Sequence, residues 1–370
     1  MRSTLLLAVL SASLNVWAGP PKKAAAPAAG KKAPAPAAGK PWLILGVGHP
    51  GLTNLKGAIG LSRDGGKTFK EVWYSDSEGT SVERVIYVPE KKLFVGVGRV
   101  GIITSPDGEN WKVAKLPEGA THSELHSVAY GNGWYVAVGN QTNIIVSKDA
   151  QTWVAGWTNA QGGNDVAKAN AFSQWFTDHA PTGPAWGRTD YVDVGFFDGK
   201  FYAVGSCHRV LEVVPTDGGA TFASVQDLDA EDCTKAAKRI RQYKDTLVLV
   251  GTRGFVSKDK GATWKELRAL KASGDKWVLA VGPKGYLTGS IHGNFHSSAD
   301  GEKWTELPKM NRATPHDLAW IQDKFVMVGR DAYSLWTTVD GAEWEEPQFK
   351  VESEEPKMTQ SYTGILGVPQ

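Results

Sequence analysis

Ser62-Arg63-Asp64-Gly65-Gly66-Lys67-Thr68-Phe69 is one of seven copies of the same short phrase. The others are Ser105-Pro106-Asp107-Gly108-Glu109-Asn110-Trp111, Ser147-Lys148-Asp149-Ala150-Gln151-Thr152-Trp153 and the weaker Pro215-Thr216-Asp217-Gly218-Gly219-Ala220-Thr221-Phe222. Ser257-Lys258-Asp259-Lys260-Gly261-Ala262-Thr263-Trp264, Ser298-Ala299-Asp300-Gly301-Glu302-Lys303-Trp304 and Thr338-Val339-Asp340-Gly341-Ala342-Glu343-Trp344 complete the set. Consecutive aspartates stand 43, 42, 68, 42, 41 and 40 residues apart. A fixed period of this size marks a repeat architecture, and the single long interval marks one insertion, at about residues 156–190.

Each period carries two earlier strands. Val128-Ala129-Tyr130, the turn Gly131-Asn132-Gly133 and Trp134-Tyr135-Val136-Ala137-Val138-Gly139 read as a hairpin by both alternation and turn chemistry. Val194-Gly195-Phe196 with Phe201–Gly205, and Leu318-Ala319-Trp320 with Phe325–Gly329, repeat it. Four short strands per unit of this length is the pattern of a propeller blade, so the sequence predicts an all-β, seven-bladed β-propeller over residues 41–370. The first unit opens at Trp42-Leu43-Ile44-Leu45-Gly46-Val47, which matches the second strand of the other units. Its missing innermost strand is found at the far end, as Tyr362-Thr363-Gly364-Ile365-Leu366-Gly367-Val368. The C-terminal strand is therefore expected to complete blade 1 and remove the open edges.

The phrase resembles the Asp box, or BNR repeat, of sialidases and several other propeller families. Across residues 42–370, two copies match fully and the rest drift at one or two positions. The resemblance implies a turn between the two outer strands of each blade. There Asp64, Asp107, Asp149, Asp217, Asp259, Asp300 and Asp340 are expected to accept backbone N–H groups, as Asx turns do, and not to carry chemistry. Sialidases themselves have six blades, an Arg-Ile-Pro motif, an arginine triad and a Tyr/Glu nucleophile pair. This chain has seven units and no Arg-Ile-Pro. In repeat style and blade number it more closely resembles exported seven-bladed propellers of the YCF48-like, photosystem-assembly type, which implies a scaffold without a reaction of its own.

The first 18 residues, with Arg2 ahead of Leu5–Leu10 and small residues before Gly19, read as a secretory signal too short to anchor in a bilayer. Residues 19–40 are almost entirely Ala, Pro, Lys and Gly and read as a disordered linker. No lipid-acceptor cysteine follows the signal, so a secreted or periplasmic monomer is expected. The net charge of +2 owes much to the linker, which leaves nothing to suggest nucleic acid. The only cysteines, Cys207 and Cys233, are expected to pair in that compartment.

In a propeller the blade-to-blade connections and the loops between second and third strands share one face, and the aspartate turns lie on the other. Seven of the eight histidines fall on that first face: His49, His122, His126, His179, His208, His292 and His316. Arg99, Arg209, Arg253 and Arg330 each follow a strand-ending glycine there. Aligning the innermost strands puts Glu83, His126, Lys238, Lys276 and His316 at one position by the channel mouth. The next position holds Arg84, Ser127, Asp193, Arg239, Trp277 and Asp317. These groups form a mixed, mostly cationic ring suited to an anionic or polyhydroxylated ligand. Trp175 and Trp186 in the insertion have no repeat-imposed role and either stack on a ligand or pack the loop. His126 and His316 come from separated blades, so neither a metal site nor a cofactor is expected. The functions in view are a scaffold for an envelope protein, a glycan-active hydrolase or lyase, and a sugar-binding lectin. Loops that differ from blade to blade argue against the lectin.

Overall fold

The computed structural model describes residues 42–47, 56–117, 124–140, 143–157, 190–229, 235–271, 275–311, 314–329, 335–352 and 362–368. Seven small sheets stand in a ring, as a seven-bladed β-propeller. Blade 2 is β4 (Arg84–Val88), β5 (Leu93–Gly98), β6 (Gly101–Ser105) and β7 (Lys112–Val113). Blade 3 is β8 (Leu125–Gly131), β9 (Trp134–Gly139), β10 (Ile144–Ser147) and β11 (Val154–Trp157). Blade 4 is β12 (Tyr191–Phe197), β13 (Lys200–Gly205), β14 (Arg209–Thr216) and β15 (Gly219–Asp227). Blade 5 is β16 (Ala237–Tyr243), β17 (Thr246–Gly251), β18 (Gly254–Ser257) and β19 (Lys265–Glu266), followed by the short helix α1 (Arg268–Lys271). Blade 6 is β20 (Lys276–Gly282), β21 (Gly285–Ser290), β22 (Phe295–Ser298) and β23 (Thr305–Glu306). Blade 7 has three strands, β24 (Pro315–Ile321), β25 (Lys324–Gly329) and β26 (Leu335–Thr338), and its fourth is reduced to the bridge between Thr337 and Glu345.

Blade 1 joins both ends of the chain. Its order is β27 (Lys350–Glu352), β3 (Thr68–Glu78), β2 (Lys56–Ser62), β1 (Trp42–Val47) and β28 (Tyr362–Val368). β28 runs antiparallel to β1, with Ile44 opposite Leu366, as the apolar alternation requires. β27 was not foreseen: it adds to the outer edge of the same blade, parallel to β3, with Val351 opposite Phe69. The tail thus grips blade 1 at both margins, and Phe349 meets Phe69 edge-on at 5.3 Å. Each innermost strand packs on the next, β4 on β8 and so on to β24 on β28, and β28 returns to β4. The core lies between the blades. Ala129, Val136 and Val138 of blade 3, for example, are buried against Tyr191, Val194 and Phe196 of blade 4.

Two devices recur. In most blades the innermost strand slips register at its second residue: His126, Val192, Lys238, Trp277, His316 and Thr363 are the extra residues. Such a bulge re-aims a side chain, here at the channel mouth. The strand that faces it ends in glycine because the backbone comes too close for anything else. A Cβ on Gly98, Gly139, Gly205 or Gly251 would lie 2.0, 2.0, 1.9 or 2.1 Å from a carbonyl oxygen at the root of the adjoining innermost strand.

The second device is the aspartate turn. Asp107 Oδ1 accepts the N–H groups of Glu109 (2.9 Å) and Asn110 (2.8 Å) and the hydroxyl of Ser105 (2.9 Å). Asp64, Asp149, Asp259 and Asp300 likewise accept their serine hydroxyl and one or two turn N–H groups, and Asp340 accepts that of Ala342. The serine or threonine hydroxyl accepts the next glycine's N–H, and the Trp111, Trp264, Trp304 and Trp344 indoles donate to that glycine's carbonyl. Asp217 departs from the expectation. β14 and β15 run into a two-residue Asp217-Gly218 hairpin with Thr216 opposite Gly219, and the exposed Asp217 carboxylate meets Lys148 instead. With proline in place of serine, blade 4 lacks the hydroxyl that organises the turn.

Removing residues 361–370 should abolish the cooperative unfolding transition measured by circular dichroism. The deletion strips four buried apolar side chains (Tyr362, Ile365, Leu366 and Val368), worth about 1.5–3 kcal/mol each, against a typical net stability of about 5–15 kcal/mol. The turns also predict acid sensitivity. Hydrogen bonds from Thr263 hold Asp259 down at about 2, and those from Asn110 and Lys303 lower Asp107 and Asp300. A carboxylate depressed by folding contributes stability above its unfolded value, and that contribution is lost as pH falls through the folded value. Tm should therefore fall between about pH 4 and pH 2, and Asp107→Asn with Asp300→Asn should flatten that slope.

Candidate functional site

The bulge residues His126, Val192, Lys238, Trp277, His316 and Thr363 stand at one repeat position, and Glu83, just ahead of β4 with its N–H on the Val97 carbonyl (2.7 Å), takes that position in blade 2. Lys276 is one residue earlier than the sequence alignment put it. It pairs with Ser290, which takes the place of the usual strand-ending glycine, and Trp277 occupies the mouth position. The Lys276 side chain is fully buried instead, its ammonium held at about 8 by desolvation and directed at the Leu270 carbonyl at 3.4 Å.

On blades 5 to 7 the mouth forms a continuous cluster. Lys238 Nζ lies over the Trp277 ring, 5.3 Å from its centroid, and His316 meets the same ring edge-on at 6.2 Å. A cation over an indole face contributes about 0.5–2 kcal/mol. Burial, with Arg239 beside it, lowers the Lys238 ammonium from its ordinary range. The Trp277 Nε1–H is buried with no acceptor among the described residues, a group that costs about 1–3 kcal/mol to leave unmade. On blades 2 and 3, burial raises the Glu83 carboxyl, with Glu124 adding to the rise, while the Ser81 hydroxyl (2.8 Å) and His126 oppose it. Asn140 Oδ1 accepts from His126 Nε2 at 2.6 Å, since its amide nitrogen donates to Glu124 at 3.2 Å. The two halves differ in kind: one is cationic and aromatic, the other a carboxyl–imidazole chain.

Below the mouth, the next residues of the innermost strands form a charged layer. Asp193 of blade 4 accepts the Ser127 hydroxyl (2.9 Å), the Ile240 N–H of blade 5 (3.1 Å) and Arg241 Nη1 (2.5 Å). Asp317 of blade 7 accepts the Ile365 N–H of blade 1 at 3.2 Å, the same repeat position one blade on. Both aspartates cap an N–H that the inner edge of the next sheet leaves without a strand partner. Burial alone would raise Asp193, but Arg241, Arg84, Arg239 and the Ile240 N–H outweigh it and hold it low. Arg239 reaches the His316 carbonyl at 3.3 Å across blade 6.

The arginines singled out from sequence are mostly neutralised. Arg209 is fully enclosed and forked on Asp227 at 2.6 and 2.9 Å, which outweighs burial and raises its guanidinium. Arg99 pairs with Glu124 at 3.1 Å, and Arg253 with Asp229 at 3.2 Å and Glu266 at 3.7 Å. His208 is buried in the left-handed region (φ 50), and its Nε2 accepts the Arg253 N–H at 3.1 Å, a contact between two loops. His292 sits in the β21–β22 turn, its N–H directed at the Ser290 hydroxyl. Arg84 lies in the charged layer, not at the surface. Arg330, Trp175, Trp186, Cys233 and most of the insertion lie outside the described residues. Sequence reading missed the counter-ions Asp227 and Asp229 and the second-layer Arg241. The only legible signal was that Asp193 and Asp317 recur at one repeat position.

No protein-family model matches the chain, and neither does any curated protein. Among solved structures it is similar to the computationally designed Ika8 protein, at 12% identity over 87% of this chain and 98% of that one, with a TM-score of 0.52. It is similar to Saccharomyces cerevisiae Sqt1 at 8% identity over 88% and 96%, with a TM-score of 0.53. A structure of YCF48 bound to D1 peptide aligns at 15% identity over 75% and 88%, with a TM-score of 0.49. At these identities the likeness is one of fold, and it defines the class of this protein as a β-propeller.

Proposed function

We propose that this chain is an exported, non-catalytic binding or assembly propeller of the cell envelope or extracellular space, whose repeated turns are Asp boxes and whose ligand seat is the mouth of the channel. One observation carries the reading: Lys238, Trp277 and His316 converge from three successive blades, with a buried indole N–H that has no acceptor among the described residues. An aromatic face flanked by cationic groups, beside a donor in want of an acceptor, suits an acidic segment of a partner protein or an anionic glycan. Arg99, Arg209 and Arg253 do not compete for the ligand, because Glu124, Asp227, Asp229 and Glu266 already hold them. A second reading, a glycan-active hydrolase or lyase, draws on Glu83, whose raised carboxyl beside His126 would be a proton donor.

Cys207 and Cys233 form a disulfide in this reading. Cys207 is buried on the β13–β14 turn, its N–H donates to the Lys235 carbonyl (2.9 Å), and its carbonyl accepts the Asp229 N–H (3.1 Å). Asp229 and Lys235, which flank Cys233 in the sequence, thus both bond to the Cys207 backbone, and among the described residues no cysteine is free.

The mature domain should retain a defined set of envelope proteins or anionic glycans, in pull-down and on an array, and Lys238→Ala with Trp277→Ala should weaken that retention at least about tenfold, the equivalent of 1.4 kcal/mol. Unchanged retention by the double variant would refute the mouth seat, and release of new reducing ends on the array would favour the hydrolase. For the cysteines, iodoacetamide should add no mass to the unreduced protein and two adducts after reduction. Reduction should cost about 3–4 kcal/mol of stability on the chain-entropy estimate.

A further inference from the structure

The charged layer below the mouth is not internally balanced. Among the described residues three guanidiniums, Arg84, Arg239 and Arg241, gather around two carboxylates, Asp193 and Asp317. The two carboxylates are already committed. Asp193 serves the Ser127 hydroxyl, the Ile240 N–H and Arg241, and Asp317 Oδ2 serves the Ile365 N–H. The remaining Asp317 oxygen lies 3.7 Å from Arg84 Nη1, beyond hydrogen-bond length.

Arg84 and Arg239 are left short as a result. Arg84 is 2% exposed, and its Nε and Nη1, with Arg239 Nε, have no hydrogen-bond acceptor among the described residues. Arg239 donates from Nη2 to the His316 carbonyl and from Nη1 to that of Lys238, contacts that leave its charge uncompensated. It keeps some accessible surface, as a group lining a narrow channel does. Burial and the proximity of Arg84 push its guanidinium down to about 10, against the pull of Asp193 and Asp317, so Arg239 remains a cation at neutral pH. A buried guanidinium without a counter-charge is among the most costly arrangements in a protein interior. Guanidinium N–H groups satisfy an anion with strong, charge-assisted bonds.

We propose that the central channel holds a small monovalent inorganic anion, of halide size, bound between Arg84 of blade 2 and Arg239 of blade 5. The ion balances the surplus charge and accepts from the three orphaned guanidinium nitrogens. It stands below the mouth seat and does not depend on it, since Lys238 and Trp277 belong to the preceding layer. Its role is to tie blades 2 and 5 across the axis, where the strands themselves do not meet.

The test uses the whole chain and halide salts alone. Crystals grown in sodium bromide should show one anomalous peak between the Arg84 and Arg239 guanidiniums. At fixed ionic strength, replacing sodium gluconate by sodium chloride should raise Tm by about 2–4 °C per tenfold rise in chloride above its dissociation constant. The Lys238→Ala/Trp277→Ala variant should keep both responses, so loss of the mouth seat and loss of the ion are distinguishable. Arg239→Met should lose both. Because that variant can fail to fold, the wild-type bromide map is decisive: water-sized density without an anomalous signal between the two arginines overturns the proposal.

Discussion

The ring depends on one pairing, β28 against β1. A propeller blade is a small twisted sheet that buries both faces only when it has a neighbour on each side. Without β28, blade 1 would present a bare inner edge to the channel, and blades 7 and 2 would lack the surface they pack on. The pairing is also long-range in the extreme, joining residues 42–47 to residues 362–368. Its register leaves Ile365 with an N–H directed at the channel, and the Asp317 carboxylate accepts it. The outer clasp of β27 on β3 explains why blade 7 has so short a fourth strand: the chain leaves early to reach the outer edge of blade 1.

The charged layer follows from the same geometry. Innermost strands have no partner on the channel side, so their N–H groups need acceptors, and a buried aspartate is a compact one. A buried aspartate in turn needs a cation, which accounts for Arg241 on Asp193 and Arg84 near Asp317. The channel is polar by structural need before any ligand is considered. The mouth differs: most of its residues sit on bulges, where the ladder does not constrain the side chain, and only blades 3 and 7, both with histidine, fill the position alike. Six kinds of side chain at seven positions of one level make the mouth asymmetric, not a ring of seven equal sites.

The aspartate turns are the most legible feature and the least informative about function. Their hydroxyl, carboxylate and glycine are all used within the turn, and the indole that follows closes on the glycine carbonyl. Blade 4 shows the limit of the pattern, since aspartate and glycine alone gave an ordinary tight hairpin at Asp217. The innermost strands were legible to within one residue. Ser290 hid the register of blade 6, because it stands where the close backbone approach in other blades demands glycine.

The sequence by itself determined the number of blades, the strand order within them and the chain end that closes the ring, because these are periodic and local signals. Period, alternation and turn chemistry are each written within a few residues. It also marked the loop cations and the channel-mouth positions by type. Only the tertiary structure decided which of those cations are spoken for. Arg209, Arg253 and Arg99 look alike in sequence, yet each meets a carboxylate from another strand or connection. Arg84 and Arg239 were set apart because ring closure placed them in one enclosed layer with too few acceptors. Charge compensation depends on distances between residues remote in the chain, and no local pattern encodes it.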